Sequence, residues 1–146
     1  MFKGNPDAAQ TGPLAIAVPG EVKCFKEAHK LYGKLAWAEL FQPGIALARD
    51  GWHLFNYTAE VLLEKADILE NAQQLNTSWA PYLNENGKVK QEGDLVVDLE
   101  LAQTLEQIAN DESGDTFYSG ELANKIIQDL HGELNEIIYE NLQMNI

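Results

Sequence analysis

Hydrophobic residues recur with a helical period over most of this chain. Between Glu21 and Tyr32, the positions Val22, Phe25, Ala28 and Tyr32 share one face, and Gly33 stops the run. Lys23 and Glu27 form an i,i+4 pair on another face. "LAWAELFQPGIALARDG" is also helical in spacing, but Pro43 removes a backbone donor and Gly44 weakens the next turn by about 1 kcal/mol relative to alanine. Two short helices ending at Gly51 are expected there. The longest periodic stretch is "NYTAEVLLEKADILENAQQL", where Leu62, Ala66, Leu69 and Ala72 share a face and Asn56 or Thr58 is suited to cap the start. Farther on, Leu101, Leu105 and Ile108 align on a helix with Asp98 as its N-cap. "DTFYSG" reads as a short turn of helix. Ala123, Ile126, Ile127 and Leu130 line a helix ending at Gly132, and "LNEIIYENLQM" is a weaker last helix.

Extended structure is sparse. "LAIAV" (Leu14 to Val18) is a short apolar run bounded by turn signals, which fits a buried strand broken by Pro19-Gly20. Asn86-Gly87 predicts a hairpin turn between two short extended pieces. Residues 1–12 read as an irregular arm. The expected fold class is mainly α with a minor β component and about six helices.

Composition changes this picture in two respects. The chain has 146 residues, 45% of them hydrophobic, which suits one packed domain. Its 23 acidic and 10 basic residues give a formal charge of -13, so a nucleic-acid partner is excluded for want of a basic footprint. The mild basic cluster of Lys23, Lys26, Lys30 and Lys34 reads as the solvated face of one helix. A single cysteine permits no internal disulfide. No apolar run is long enough to cross a membrane, and "MFKGNPDAAQTG" lacks the apolar core of a signal peptide. Expressed alone, the chain is therefore expected to be cytoplasmic.

The candidate chemistry is thin. Cys24 and His29 suggest a thiol nucleophile with its base, but five residues along a helix turn the pair roughly 140° apart. Cys24 reads as a small packed residue. His29, His53 and His131 have no metal-ligand spacing, so neither a metal nor a cofactor is expected. Asp94 and Asp98 in "GDLVVDLE" read as a loop end and a helix start, and Glu60 and Glu64 as a solvated face. Gly-x-Ser-x-Gly, Gly-x-Gly-x-x-Gly and the phosphate-loop pattern do not occur. "NYT" at Asn56 and "NTS" at Asn76 are candidate N-glycosylation acceptors, should the chain enter a secretory route.

The order of several short pieces is more specific than any one of them. Val18 to Glu21, Tyr32 to Trp37, Phe41 to Pro43, Leu47 to Arg49, Gly93-Asp94, Leu101 to Leu105 and Phe117 to Gly120 follow one another in a pattern that resembles the large subunit of the γ-glutamyltransferases, or glutathione hydrolases. The resemblance spans roughly residues 12 to 132. Cys24 stands where that family usually has glycine, Gly44 where it has alanine or serine, and the pattern loosens after Gly132.

The resemblance implies a segment of the αββα sandwich of the N-terminal-nucleophile hydrolases, with residues 1–146 as a single partial domain. It implies a parent that hydrolyses glutathione and passes the γ-glutamyl group to water, amino acids or peptides. In that family the nucleophile is the threonine that begins the small subunit after self-cleavage, its own amine is the base and an oxyanion hole assists. None of Thr11, Thr58, Thr77, Thr104 or Thr116 has the matching Thr-Thr-His context. The substrate-gripping arginine precedes the matched part, and Arg49 corresponds to a structural helix residue. The expected partners are the remaining large- and small-subunit sequence, with self-association in their absence. Glutathione or γ-glutamyl compounds would bind only in the complete enzyme. That enzyme would lie on the extracellular face of the plasma membrane or be secreted. The alternative is a non-catalytic helical interaction module built on the same scaffold.

Overall fold

The computed structural model describes residue 9 and residues 15–71 and 79–129. The elements run α1 (Glu21–Tyr32), α2 (Trp37–Asp50), β1 (Trp52–His53), α3 (Asn56–Glu64), α4 (Ala66–Asn71), a 3-10 turn (Ala80–Tyr82), β2 (Leu95–Val96), α5 (Leu99–Asn110) and α6 (Glu121–Asp129). The described residues are thus mostly helical with a two-stranded antiparallel sheet, paired Trp52 to Val96 and His53 to Leu95. None of their helices is long and apolar enough to cross a membrane. Packing divides the chain into two compact units, Met1–Leu40 with Gln107–Ile146, and Phe41–Glu106.

In the unit Phe41–Glu106, Leu54, Leu62, Leu69, Leu83, Val89 and Val96 form one core, with Trp52, Ala59, Ala66 and Tyr82 against it. Gly51 ends α2 with φ +92, a region L-residues rarely adopt, and a Cβ there would lie 2.8 Å from Leu95 Cδ1. This turn aims β1 at β2, and the Asp98 N–H donates to the Ala48 carbonyl at 2.8 Å beside it. The Asn86-Gly87 hairpin is present. Gly87 has φ +72, Leu83 bridges Val89, and Asn84 Oδ1 accepts from the N–H groups of Asn86 and Lys88 at 2.9 and 3.1 Å. Lys88 pairs with Glu70 at 2.6 Å, and the Val89 N–H donates to the same carboxylate at 3.2 Å, tying the hairpin to α4. Lys90 donates to the carbonyls of Pro81 and Leu95, each at 2.8 Å.

In the other unit one hydroxyl links two distant stretches of chain. Tyr118 donates to the Pro19 carbonyl at 2.7 Å and accepts from the Lys23 N–H at 3.0 Å. Lys23 is the third residue of α1, and its N–H is one of the donors that a helix start leaves without an intrahelical acceptor. Gly20, at the cap position, supplies no side-chain bond, so Tyr118 acts as the cap from far along the chain. Tyr118 and Ala123 are buried with Val18, Val22, Phe117 and Ile127 packed around them. Trp37 is buried too, donating from its indole N–H to the Ile108 carbonyl at 3.0 Å.

Several expectations need correction. α1 forms over the expected residues, but the face it buries carries Lys26, while Phe25, Ala28 and Tyr32 are exposed. Lys26 is therefore not part of a solvated face: its ammonium lies 4.3 Å from the centre of the Trp37 ring, and a Cβ on Gly114 would touch its stem at 3.2 Å. Glu27 forms an ion pair with Lys30 at 2.6 Å, and the charge of Lys23 also favours its ionised carboxylate. α2 continues unbroken through Pro43, since burying Ile45 and Ala48 just beyond it offsets one lost backbone bond. The long stretch after Asn56 is two helices, broken at Lys65, whose N–H is shared between the Leu62 and Leu63 carbonyls. Phe55 holds the cap position of α3, with no side-chain cap bond from Asn56 or Thr58.

Residues 16–18 carry no strand, and Ile16 is exposed, because no strand among the described residues lies beside them. "DTFYSG" is a turn rather than helix, and Leu101 of α5 is exposed while Ile108 is buried. Asp98 caps α5 as expected, accepting from the Leu101 N–H at 2.8 Å. Ala123 is buried, and Ile126 and Ile127 are half-buried. Ala72, Leu130, Gly132, Leu14, the arm 1–8 and 10–14, and the expected last helix lie outside the described residues.

Tyr118→Phe is expected to lower the unfolding free energy by ~1–3 kcal/mol, since it strands the Pro19 carbonyl and the Lys23 N–H in a partly buried place. Denaturant titration followed by circular dichroism measures this. Gly51→Ala is expected to cost about 1–3 kcal/mol through backbone strain and collision with Leu95, read in the same way.

Candidate functional site

The residues with catalytic potential are kept apart. Cys24 is an exposed free thiol on α1. His29 lies on another face of the same helix, where a ring nitrogen sits 2.9 Å from the Leu35 carbonyl and the ring packs 5.4 Å from Trp37. Cys24 and His29 are therefore not a nucleophile–base pair. His53 is in the other unit, with Nδ1 2.8 Å from the Gly93 carbonyl. His131 lies outside the described residues. Among the described residues, no three His, Cys, Asp or Glu side chains come together in a way that would hold a metal.

The acids near the sheet serve the backbone. Asp94 Oδ2 accepts from the Gln91 N–H at 2.8 Å, closing a turn in which Gly93 has φ +86. Asp98 is the helix cap described above. Arg49 is exposed and pairs with Asp50 and Glu106, each at 3.4 Å, as a structural helix arginine would. Glu60 and Glu64 are exposed on α3. Asn56 is exposed at the first residue of α3, its amide donating to Glu92 at 3.4 Å. Asn76 lies outside the described residues.

A cleft of about 240 Å³ lies beside α1, lined among others by Lys26, Lys30, Ser113, Asp115 and Tyr118. Several of its polar groups have partners within the chain. Lys30 is paired with Glu27, and Ser113 Oγ donates to Asp111 Oδ1 at 2.6 Å while accepting from the Asp115 N–H at 3.1 Å. Tyr118 donates to Pro19. No histidine lines the cleft to take a proton from Ser113. The Asp111 carboxylate is a loop brace: it accepts from the N–H groups of Ser113 at 3.0 Å and Thr116 at 2.6 Å as well as from the Ser113 hydroxyl. Burial pushes its carboxyl up, and the bonds from the Ser113 side chain and the Thr116, Ser113 and Gly114 backbones together outweigh this, leaving it below the ordinary aspartate value. Sequence reasoning missed this loop, Tyr118 and Lys26. "DESGD" carries an Asx-turn signature that marks the brace, but nothing local marks the other two.

The family model described as Gamma-glutamyltranspeptidase matches residues 1–139. Glutathione hydrolase proenzyme 2 of Schizosaccharomyces pombe is 42% identical over 137 residues, covering 90% of this chain and 21% of that protein. Scoloptoxin SSD14 of Scolopendra dehaani is 36% identical over 143 residues, covering 98% of this chain and 24% of that protein. Among solved structures, the γ-glutamyltranspeptidase of Helicobacter pylori superposes with a TM-score of 0.74 at 32% identity, covering 85% of this chain and 34% of that one. With a scaffold of braced loops and helices and a match over nearly its whole length, the chain belongs to the γ-glutamyltranspeptidase family. It spans less than a quarter of the length of these two curated relatives.

The low Asp111 value has a signed consequence. A carboxyl depressed in the folded state contributes stability above its unfolded pKa of about 3.9, and that contribution is lost as pH falls through the lower folded value. Asp111→Asn is therefore expected to be less stable than the parent at neutral pH, with the gap closing below about pH 4. Thermal unfolding across pH 2.5–7 (about) reads both arms.

Proposed function

We propose that this chain is part of the large subunit of a γ-glutamyltransferase that hydrolyses glutathione and transfers its γ-glutamyl group to water, amino acids or peptides. The family match over residues 1–139, set against the small share of its relatives' length, carries this reading. In that enzyme the helices described here cover part of an αββα sandwich as a single partial domain, and the remaining large- and small-subunit sequence is the partner. No residue of this chain is assigned a catalytic role. The separation of Cys24 from His29 and the engaged state of Ser113 support that assignment. The complete enzyme is placed on the extracellular face of the plasma membrane or among secreted proteins, where Asn56 and Asn76 are glycan acceptors.

Purified alone, the 146-residue chain is expected to release no more aniline from a γ-glutamyl anilide than buffer does. Turnover abolished by Cys24→Ala would overturn this and revive a thiol mechanism. In a parent protein passed through a secretory route, peptide mass spectrometry is expected to find glycan on Asn56 or Asn76. Two fully bare sites would contradict the assignment.

A further inference from the structure

The hairpin that turns at Asn86-Gly87 carries a reactive pair. An asparagine amide lies within reach of the backbone nitrogen of the next residue, which can attack it and close a five-membered imide. A side chain on that next residue hinders the attack, and glycine has none. Of the asparagines in the sequence, Asn86 alone precedes glycine. Asn86 is exposed, whereas Gly87 is buried. The Gly87 N–H donates to the Asn84 carbonyl at 2.9 Å, and the Asn84 N–H donates to the Lys88 carbonyl at 2.8 Å. The attacking nitrogen is therefore held in the turn while the hairpin is closed. Glu70 of α4 keeps it closed, pairing with Lys88 at 2.6 Å and accepting from the Val89 N–H at 3.2 Å.

We propose that Asn86 is a site of spontaneous deamidation whose rate is set by opening of the hairpin, which Glu70 restrains. Once the hairpin is open, the Gly87 nitrogen gives its proton to solvent and attacks Asn86 Cγ. The new N–Cγ bond forms as the Cγ–Nδ2 bond breaks, and Nδ2 takes a proton from solvent and leaves as ammonia. Water then adds to one carbonyl of the imide. Opening at the side-chain carbonyl leaves aspartate. Opening at the backbone carbonyl leaves isoaspartate, with the main chain routed through the former side chain. Water is the co-reactant, and no oxidation state changes. Isoaspartate lengthens the backbone by one methylene, which shifts the Leu83–Val89 bridge out of register and draws Lys88 away from Asn84 Oδ1. The modified hairpin then opens more readily than the original. The reaction needs nothing from the rest of a parent protein.

The test incubates the 146-residue chain at mildly alkaline pH beside a synthetic peptide of residues 80–92, in which an isolated hairpin is marginal at best. Peptide mass spectrometry follows residue 86, and an aspartate-specific protease, which spares isoaspartate, separates the two products. Asn86 is expected to convert to both products, about tenfold more slowly in the chain than in the peptide. Glu70→Gln is expected to speed conversion in the chain about threefold, with circular dichroism confirming that the variant is folded. Lys88→Gln, set against a peptide with the same change, gives the same comparison without altering α4. An Asn86 that keeps its amide through about a hundred peptide half-lives overturns the site. Aspartate without isoaspartate overturns the imide route. Conversion as fast in the chain as in the peptide, or indifferent to both substitutions, overturns control by the hairpin.

Discussion

One phenolic hydroxyl holds together two pieces of chain separated by most of the sequence. Tyr118 accepts from the Lys23 N–H at the start of α1 and donates to Pro19 in the turn before it. A glycine at the cap position makes no side-chain cap bond, and the Lys23 N–H at the helix start finds its acceptor through a tertiary contact. Folding of α1 is thereby coupled to folding of the turn that carries Tyr118. The same clamp fixes the rotation of α1, which buries Lys26 over Trp37 and turns Phe25, Leu31 and Tyr32 outward.

Among the described residues, the acids that contribute to the charge of -13 form no cluster that would hold a metal. Asp94, Asp98 and Asp111 each accept backbone N–H groups at a turn or helix start, and Glu70 pairs with Lys88 while accepting from Val89. Short loops pinned by carboxylates suit a part whose task is to hold geometry.

Much of the fold was legible because its signals are local. α1 and α5 fall where hydrophobic period, Gly33 and Asp98 place them, and the Asn86-Gly87 turn follows from the backbone freedom those residues supply. What was illegible depends on tertiary context. The 3.6-residue period locates a helix without saying which side faces its own core, and α1 carries Phe25, Leu31 and Tyr32 on the outside. Pro43 was read as a break because its local cost is visible, whereas the burial of Ile45 that offsets it is not. "LAIAV" has the composition of a strand, but a strand needs a neighbour, and none of the described residues provides one. As to the site, the separation of Cys24 from His29 followed from helical geometry alone. Tyr118 was visible only as a letter within a family motif, since nothing in "FYSG" reveals that its partner lies in "VPGE".

The central claim is that these two motifs are joined through Tyr118, and hydrogen exchange at the Lys23 amide tests it most directly. If Tyr118 is its acceptor, the Lys23 amide exchanges as slowly as that of Cys24, which donates within the helix to Gly20. In Tyr118→Phe, Lys23 then exchanges much faster while amides in the middle of α2 keep their protection. A Lys23 amide that exchanges freely in the unsubstituted chain, or one that the substitution leaves unchanged, would contradict the account.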